Sequence, residues 1–256
     1  MAKVLIGYSA CPLSRAAFEA HGHDVWTCDL LPARDGHPKH LQGDIWDYLH
    51  RDWDFAVLHP MCTFLTTSGA WALEDPNYEK YPVHGYHLKP NPEKLYGAER
   101  RSAQKFDLDN FQALMDLPFA KAIENPAVSA INTAIRPPDQ KLHPYHLGDD
   151  ASKNTGFWLT HGTPKLLIDP ALYVQPRMVC GCGFTYYQFQ RYGAPQLQCP
   201  KCDGIHKALP RWSNQTDSGQ NRLSPGPNRW LERSETYPGI ARGMGQWAEW
   251  LNRRTE

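Results

Sequence analysis

The sequence predicts an α/β fold with a doubly wound parallel sheet and one small cysteine-rich insert. Short apolar runs alternate with helix-like stretches over the first part of the chain, which is typical of parallel strands joined by crossovers. Four of the seven cysteines lie in one tight pattern late in the chain. We therefore expect an α/β domain over residues 1–178, the insert over 179–205, and a segment over 206–256 that completes the α/β domain.

The composition indicates a globular protein, because 41% of the 256 residues are hydrophobic and such a chain buries a sizeable core. A formal net charge of zero argues against a protein that binds mainly through phosphate contacts. The sequence is still compatible with a local basic surface that contacts phosphate, because several arginines are close together in the last part of the chain: Arg211, Arg222, Arg229, Arg233 and Arg242. No stretch is apolar enough to span a bilayer, so we expect no membrane contact and a cytoplasmic location, which the odd cysteine number also favours.

The elements of the first part follow from apolar runs and turn residues. The predicted strands are residues 3–8, 24–29, a third ending at 43–45, and 54–59, with helices at 14–21 and 46–50. In a parallel sheet the carboxyl ends of these strands share one edge, and ligands of such folds bind there.

The second part of the chain predicts a long surface loop and further strands. The loop covers residues 74–95, where Pro, Tyr, Asn and His lack periodicity, and loops of that length are often functional. After it we expect a helix over 98–117, a strand over 119–124 that Asn125 and Pro126 end, strands at 156–159 and 166–168, and a helix over 239–253.

A thiol and a carboxyl group end two neighbouring predicted strands. Cys62 follows the fourth strand, and Glu124 ends the next one. A lone cysteine in such a place is more often a small buried hydrophobic residue than a nucleophile. Because parallel strand ends lie side by side, however, the two groups should meet, and a thiol with a nearby acid can perform nucleophilic catalysis.

Several blocks around this pair occur in a recognisable order. They are Cys28-Asp29-Leu30, Gln42-Gly43-Asp44, His59-Pro60-Met61-Cys62-Thr63, Ser68-Gly69, Ile123-Glu124-Asn125-Pro126, Phe157-Trp158-Leu159 and residues 233–241. In these blocks the chain resembles the DNA cytosine carbon-5 methyltransferases, and in particular short phage and prophage cytosine methylase-like proteins. The resemblance runs over nearly the whole chain.

The resemblance implies a Rossmann-like, S-adenosylmethionine-dependent methyltransferase sheet. By it, the Cys62 thiolate adds to carbon-6 of the pyrimidine while Glu124 protonates nitrogen-3, so that carbon-5 can attack the methyl group. Partial burial beside Ile123 and Pro126 would keep Glu124 protonated at neutral pH. The target base in DNA would be flipped out of the duplex to reach Cys62.

The resemblance also implies two sets of binding residues. The expected cofactor contacts are Gly7, Tyr8, Ser9, Asp29, Leu30, Asp44, Ile45 and His59. The expected substrate contacts are Pro60, Ser68, Asn125, Lys153 and Thr155. An aspartate after a strand is also a common helix cap, so Asp29 and Asp44 have that second interpretation.

The chain departs from the family pattern in two places. The first turn keeps only one glycine, Gly7, where the family has a glycine-rich turn. The Gln-Arg-Arg type motif that grips the base is absent, and its role falls to Lys153, Asn154 and Thr155 or to Arg177.

The insert carries Cys180, Cys182, Cys199 and Cys202, two close pairs that predict a zinc ribbon. With four thiolates no open position is left, so the zinc would be structural, and a pair of disulfides is the alternative. An aromatic and basic set in the hairpin would either stack on bases or cover the metal module: Tyr186, Tyr187, Phe189, Arg191 and Tyr192.

The sequence is compatible with several functions. The chain is expected to modify cytosine in DNA or a free pyrimidine deoxynucleotide such as dCMP or dCTP. Alternatively, it is a non-catalytic, zinc-stabilised DNA-binding module. A zinc hydrolase would require several histidines to converge on one metal, from among His59, His84, His87, His143 and His146. The oligomeric state is not predicted.

Overall fold

A seven-stranded, mostly parallel sheet forms the larger part of this mixed α/β protein. The computed structural model describes residues 1–187, 197–206, 210–216, 219–224, 226 and 229–255. The strands of the sheet are β1 (Lys3–Gly7), β2 (Asp24–Asp29), β3 (His40–Gln42), β4 (Phe55–Leu58), β5 (Ala120–Pro126), β6 (Gln140–Leu142) and β7 (Thr155–Thr160).

The strand order in the sheet is β3-β2-β1-β4-β5-β7-β6. The pairs of β2 with β3, β1 with β2, β1 with β4 and β4 with β5 are parallel. In contrast, β7 lies antiparallel to β5, so the expected parallel arrangement holds for β1 to β5 but not for β7. Residues 127–154 connect the two strands and include α3 and β6, so β7 returns beside β5 only after the edge strand β6 has formed.

This antiparallel pairing also lengthens β5 beyond its predicted end. Asn125 pairs with Gly156 and Pro126 with Thr155, so Asn125 and Pro126 belong to the strand rather than ending it. A proline donates no hydrogen bond, but at a terminal strand position that loss is tolerated. Glu124 and Asn125 are therefore held in regular extended backbone.

The central strands form because their apolar side chains are covered on both faces. All four residues of β4 are fully buried, as are Val4, Leu5 and Ile6 of β1, which is the pattern of inner parallel strands. One large contact in this core joins Phe111 to Trp158 of β7, with ring centroids 5.1 Å apart in an edge-to-face arrangement.

The chain divides into two compact units. The sheet unit contains Met1–Ala10, His23–Lys141 and Asn154–Lys165, and the second unit contains Cys11–Gly22, Leu142–Lys153 and Leu166–Glu256. The helices of the sheet unit are α2 (Gly97–Asp116) and the short α3 (Ile131–Ala134). The predicted helix at 46–50 is a single 3-10 turn at Ile45–Asp47, capped by the Asp44 carboxylate. Residues 74–96 contain no helix or strand, as expected of the long loop.

The second unit contains α1 (Pro12–Glu19), α4 (Arg229–Ser234) and α5 (Pro238–Thr255), of which α1 and α5 pack together. The start of α5 is fixed by the Asp149 carboxylate, which accepts a hydrogen bond of 2.7 Å from the Gly239 backbone N–H. A side chain at Gly239 would collide with the Leu147 carbonyl oxygen, since an added Cβ would lie 2.5 Å from it. Across the described helices of both units, none has the length and apolar character needed to cross a membrane.

The predicted strand at 166–168 does not form. The Leu167 backbone pairs instead with the side-chain amide of Gln246 on α5, through bonds of 2.7 and 3.1 Å. Leu167 itself is 79% exposed. The backbone of this apolar segment therefore forms its hydrogen bonds with a helix side chain instead of with another strand. Sequence periodicity does not reveal such a contact.

Two short antiparallel hairpins complete the second unit. β8 (Arg177–Val179) pairs with β9 (Thr185–Tyr187), and β10 (Leu197–Gln198) pairs with β11 (Ile205–His206). They cover the region where the sequence predicted the cysteine-rich insert.

The turn after β1 is closely packed and has one unusual backbone conformation. A Cβ atom on Gly7 would lie 2.1 Å from Ile45 Cδ1 and 2.7 Å from Leu58 Cδ2, so only glycine fits. The next residue, Tyr8, has a φ of 57°, a left-handed value that non-glycine residues seldom adopt. The turn thus retains a glycine-type conformation at Tyr8 although it has a single glycine.

We expect Gly7→Ala to destabilise the protein by about 1–3 kcal/mol, because the added methyl group overpacks a buried contact. Urea unfolding would measure the change. Gly226→Ala is the control, since a Cβ there meets no atom of the described residues within 4 Å, and its effect should stay below about 1 kcal/mol. Equal stability of the two variants would contradict the close packing of Gly7.

Candidate functional site

The carboxyl ends of β4 and β5 bring an imidazole and a carboxyl group together. Leu58 lies opposite Ile123 in the parallel register, so the residues that follow them, His59 and Glu124, are neighbours. His59 Nδ1 and Glu124 Oε2 are 3.2 Å apart, within hydrogen-bond distance, and both side chains are 15% exposed. The ends of β4 and β5 therefore lie side by side as expected, and the direct neighbour of Glu124 is His59 rather than Cys62.

Cys62 lies in the loop that leaves β4, and this loop is tied down at nearly every carbonyl group. Cys62 is half-buried, and its own carbonyl oxygen accepts from the backbone N–H groups of Leu65 and Thr66. Other donors hold the carbonyls on either side of it: Asn125 Nδ2 to Pro60 (3.0 Å), Arg100 Nη2 to Thr63 (3.2 Å), Gln104 Nε2 to Phe64 (2.8 Å) and Ala130 N to Leu65 (2.8 Å). The loop is preorganised by the elements around it.

Arg100 on α2 is the most constrained of these donors. It is 7% exposed, its guanidinium lies 5.1 Å from the centroid of the Phe64 ring, and no carboxylate pairs with it among the described residues. A Cβ on Gly69 would lie 2.5 Å from Arg100 Nη2. Gly69 therefore leaves the room that the guanidinium needs to reach the Cys62 loop.

Two polar atoms at the strand ends lack a hydrogen-bond partner among the described residues. They are His59 Nε2 and Asn125 Oδ1, and both are buried. The Asn125 amide orientation is determined, because only its nitrogen can donate to the Pro60 carbonyl. A buried acceptor left in this way is costly unless a ligand satisfies it.

The ends of β2 and β3 supply two carboxylates. Asp29 Oδ1 accepts from the Leu31 N–H at 2.9 Å, and Asp44 Oδ1 accepts from the Trp46 N–H at 3.0 Å. Burial raises the pKa of the Cys28 thiol to about 12, and the charges of Asp29 and Asp44 add to that increase, so both carboxylates lie near Cys28. Each carboxylate thus caps a turn, and carboxylate oxygens are also acceptors that suit the hydroxyl and amine groups of a nucleoside.

The remaining predicted cofactor contacts differ in exposure. Leu30 is 73% exposed beside Asp29, whereas Ile45 is buried against Gly7. Ser9 is buried and its backbone N–H donates to the Cys28 carbonyl at 3.0 Å. Tyr8 packs against the sheet core. Leu30 therefore presents an open apolar surface, while Ile45 contributes to the core.

The predicted substrate contacts are also unequal. Pro60 and Thr155 are buried in the sheet unit, and Ser68 is exposed, with its hydroxyl 3.4 Å from that of Thr66. Lys153 belongs to the second unit. Of this set, Asn125 has the most direct connection to the Cys62 loop.

Sequence reasoning missed the polar face of α2. Arg100, Gln104 and Asp107 follow the spacing of one helix face, and this face continues into buried Phe111 and Leu114. Polar residues that share one helix face with buried apolar residues indicate buried polar contacts. This pattern is visible in the sequence alone.

The four insert cysteines form a compact cluster at the turns of the two hairpins. Their sulfur atoms all lie within 4.8 Å of one another, with Cys180 to Cys202 at 3.4 Å and Cys182 to Cys199 at 3.8 Å. A tetrahedral zinc ion with four sulfur ligands at about 2.3 Å would separate those sulfurs by about 3.8 Å. The cluster could hold a metal ion, and its geometry is consistent with structural zinc.

The local backbone favours one thiolate in this cluster, at Cys199. Burial tends to raise the pKa of Cys199, but the N–H groups of Lys201 and Cys202 outweigh it and lower that pKa to about 6. The Gly204 N–H tends to lower the pKa of Cys202, but hydrogen bonds with the other three thiols outweigh it and raise that pKa to about 12. Zinc binds the thiolate form of cysteine.

Histidines form no comparable cluster. Within the described ranges, the four cysteines are the one group of His, Cys, Asp or Glu side chains placed to hold a metal. His143 instead stacks on Tyr145, with centroids 4.7 Å apart, and burial lowers its pKa to about 4. The aromatic and basic hairpin set lies outside the described residues at Phe189, Arg191 and Tyr192, and nothing is described of the Tyr186 and Tyr187 side chains.

No protein-family model matches this chain, and no curated protein matches it. Functional assignment therefore depends on the residues of the site.

We expect Asn125→Asp to destabilise the protein by about 1–3 kcal/mol, because a carboxylate oxygen cannot donate to the Pro60 carbonyl and would be buried beside it. The loosened loop should also make Cys62 react faster with iodoacetamide, as measured by mass spectrometry of its peptide. Asn91→Asp is the control, since exposed Asn91 acts as an acceptor for the Glu93 N–H and a carboxylate keeps that role. Unchanged stability and thiol reactivity in Asn125→Asp would argue against the anchoring role.

Proposed function

We propose that this protein is an S-adenosylmethionine-dependent methyltransferase that acts on carbon-5 of cytosine in DNA through a covalent Cys62 adduct. The observation that carries the proposal is the His59 and Glu124 pair, 3.2 Å apart, at the strand ends from which the anchored Cys62 loop departs. The strand order also supports it, because it is the doubly wound order with one antiparallel strand added near the edge.

In the first step the Cys62 thiolate forms a bond to carbon-6 of the pyrimidine. The electron pair of the carbon-5 to carbon-6 double bond moves into the ring, and Glu124 donates its proton to nitrogen-3 to neutralise the charge. Carbon-5 then has the electrons to attack an electrophile. For this step Glu124 must carry a proton, and His59 Nδ1 lies within hydrogen-bond distance of its Oε2, at 3.2 Å.

S-adenosylmethionine, when bound, supplies an electrophilic methyl group on its sulfonium. Asp29 and Asp44 would hold it through its hydroxyl and amine donors, with Leu30 against an apolar part. Once carbon-5 carries the methyl group and the donor has left as a neutral thioether, the carbon-5 proton would pass to water, the double bond would re-form, and the Cys62 thiolate would leave. Glu124 recovers its proton from nitrogen-3.

The buried acceptor of Asn125 bears on the choice of substrate. Its oxygen accepts a hydrogen bond from any suitable donor, whether a ligand N–H or a water molecule. The exocyclic amine of cytosine is one such donor and the N3–H of uracil or thymine is another, so this acceptor fits a pyrimidine without selecting cytosine. Whether the base belongs to DNA or to a free deoxynucleotide is a separate matter, and the net charge of zero keeps the free nucleotide as the second candidate.

Duplex DNA that contains 5-fluorocytosine should trap a covalent complex with the protein in the presence of S-adenosylmethionine, because fluorine cannot leave carbon-5 as the proton does. Cys62→Ser should abolish the complex, and Glu124→Gln should slow its formation by about 100-fold or more, in the range of a lost acid catalyst. Denaturing electrophoresis measures the complex.

Two variants serve as controls for this experiment. Cys11→Ser replaces another thiol at the N-cap of α1, and Glu249→Gln neutralises an exposed carboxylate of α5, so both should trap DNA as the unaltered protein does. Labelled methyl transfer to dCMP or dCTP but not to DNA would select the second candidate. Transfer to neither substrate would refute both and leave the non-catalytic DNA-binding module.

We also propose that the cysteine cluster binds a structural zinc ion, since four sulfur ligands leave no open position. Metal analysis of the purified protein should find about one zinc per chain. The double variant Cys180→Ser, Cys199→Ser should lose it, and Cys11→Ser should keep it. Zinc retained by the double variant would point to a different metal site, such as one that contains histidine.

A further inference from the structure

One face of α2 runs from the Cys62 loop to the turn after β1. Toward the loop, Arg100 and Gln104 donate to backbone carbonyls. Toward the turn, the Asn110 amide nitrogen lies 3.5 Å from the Tyr8 hydroxyl oxygen, and its oxygen accepts from Trp46 Nε1 at 2.9 Å. The face therefore connects the nucleophile loop to the end of the sheet where the cofactor would bind.

Asp107 lies between these two sets of contacts, three residues from Gln104 and three from Asn110. At helical spacing it falls in line with Gln104 and with fully buried Phe111, so its side chain is directed inward. Its carboxylate acts electrostatically on the Tyr8 phenol, as does that of Asp44. Asp107 is thus close to the first turn of the sheet.

Unlike its polar neighbours on α2, Asp107 has no partner for its buried oxygen. Oδ2 makes no hydrogen bond, and no lysine, arginine or histidine pairs with the carboxylate within the described part of the chain. Burial raises the pKa of Asp107 to about 6, so the group is still ionised at pH 8. A half-buried carboxylate with one fully buried, unpaired oxygen destabilises the protein, and a cationic ligand would relieve that penalty.

We propose that Asp107 binds the positively charged amino-acid end of S-adenosylmethionine, an inference that rests on the proposed cofactor. That end of the cofactor carries an ammonium group and a sulfonium group, and both are complementary to a carboxylate. The location between the first turn and the Cys62 loop suits this role, since the methyl group must lie between the nucleoside end and the reacting base. Asp29 and Asp44 then contact the nucleoside part, and Asp107 contacts the charged part.

The test is cofactor binding by isothermal titration calorimetry at pH 8, with S-adenosylmethionine and with S-adenosylhomocysteine, which lacks the sulfonium charge. Asp107→Asn should weaken the binding of S-adenosylmethionine by about tenfold or more, as expected for a partly desolvated charge contact. If S-adenosylhomocysteine is weakened equally, the contact is with the ammonium group. If it is weakened less, the contact is with the sulfonium group.

Asp109→Asn is the matched control, because it makes the same change of charge on the same helix at an exposed position that pairs with Lys105. Its binding should match that of the unaltered protein. The ligand-free Asp107→Asn protein should also melt higher, by roughly 2–4 °C, because a buried charge has been removed. This second readout needs no cofactor and shows that the variant is folded.

Two outcomes would overturn the inference, and they differ in what else they affect. Undiminished binding of S-adenosylmethionine by Asp107→Asn would overturn the role of Asp107 and leave the proposed function intact. Failure of the unaltered protein to bind either cofactor would overturn the proposed cofactor itself, together with this role.

Discussion

The parallel pairing of β4 with β5 is the interaction on which the rest of the site depends. Both strands are buried among apolar residues, and their register makes His59 and Glu124 neighbours as the strands end. The pairing also places the Pro60 carbonyl within reach of Asn125. A shift by one residue would turn Glu124 to the opposite face of the sheet and separate it from His59.

The helix α2 imposes the second constraint, on the loop rather than on the strands. A loop that carries a nucleophile has to hold one geometry without regular secondary structure, and here side chains supply the hydrogen bonds that a strand would otherwise provide. Arg100 and Gln104 bind consecutive carbonyl groups, at Thr63 and Phe64. Preorganisation of this kind lowers the entropy that a reacting group would otherwise lose in the transition state.

A few positions of the sheet unit carry features that reduce the stability of the fold. Tyr8 adopts a left-handed backbone conformation, and buried polar atoms of His59, Asn125 and Asp107 have no hydrogen-bond partner among the residues that the structure describes. Each feature costs folding free energy, and all occur in or beside the segments that carry the proposed site. The cysteine cluster follows a different principle, since its four thiols converge at hairpin turns and a metal ion there would stabilise the hairpins directly.

The sequence by itself determined β1, β2, β4, β5 and β7, the long helix before β5 and the grouping of four cysteines, because apolar periodicity and ligand spacing are local properties. It also predicted that the strand ends of Cys62 and Glu124 adjoin. It did not predict the edge strand β6, and it placed the end of β3 too late in the chain. Only the tertiary structure decided the antiparallel position of β7, the pairing of Leu167 with Gln246, and the His59 partner of Glu124. The residues of these two side-chain contacts are far apart in the chain, by 65 positions for His59 and Glu124 and by 79 for Leu167 and Gln246. No local sequence pattern encodes which distant group will form a hydrogen bond with a given polar atom.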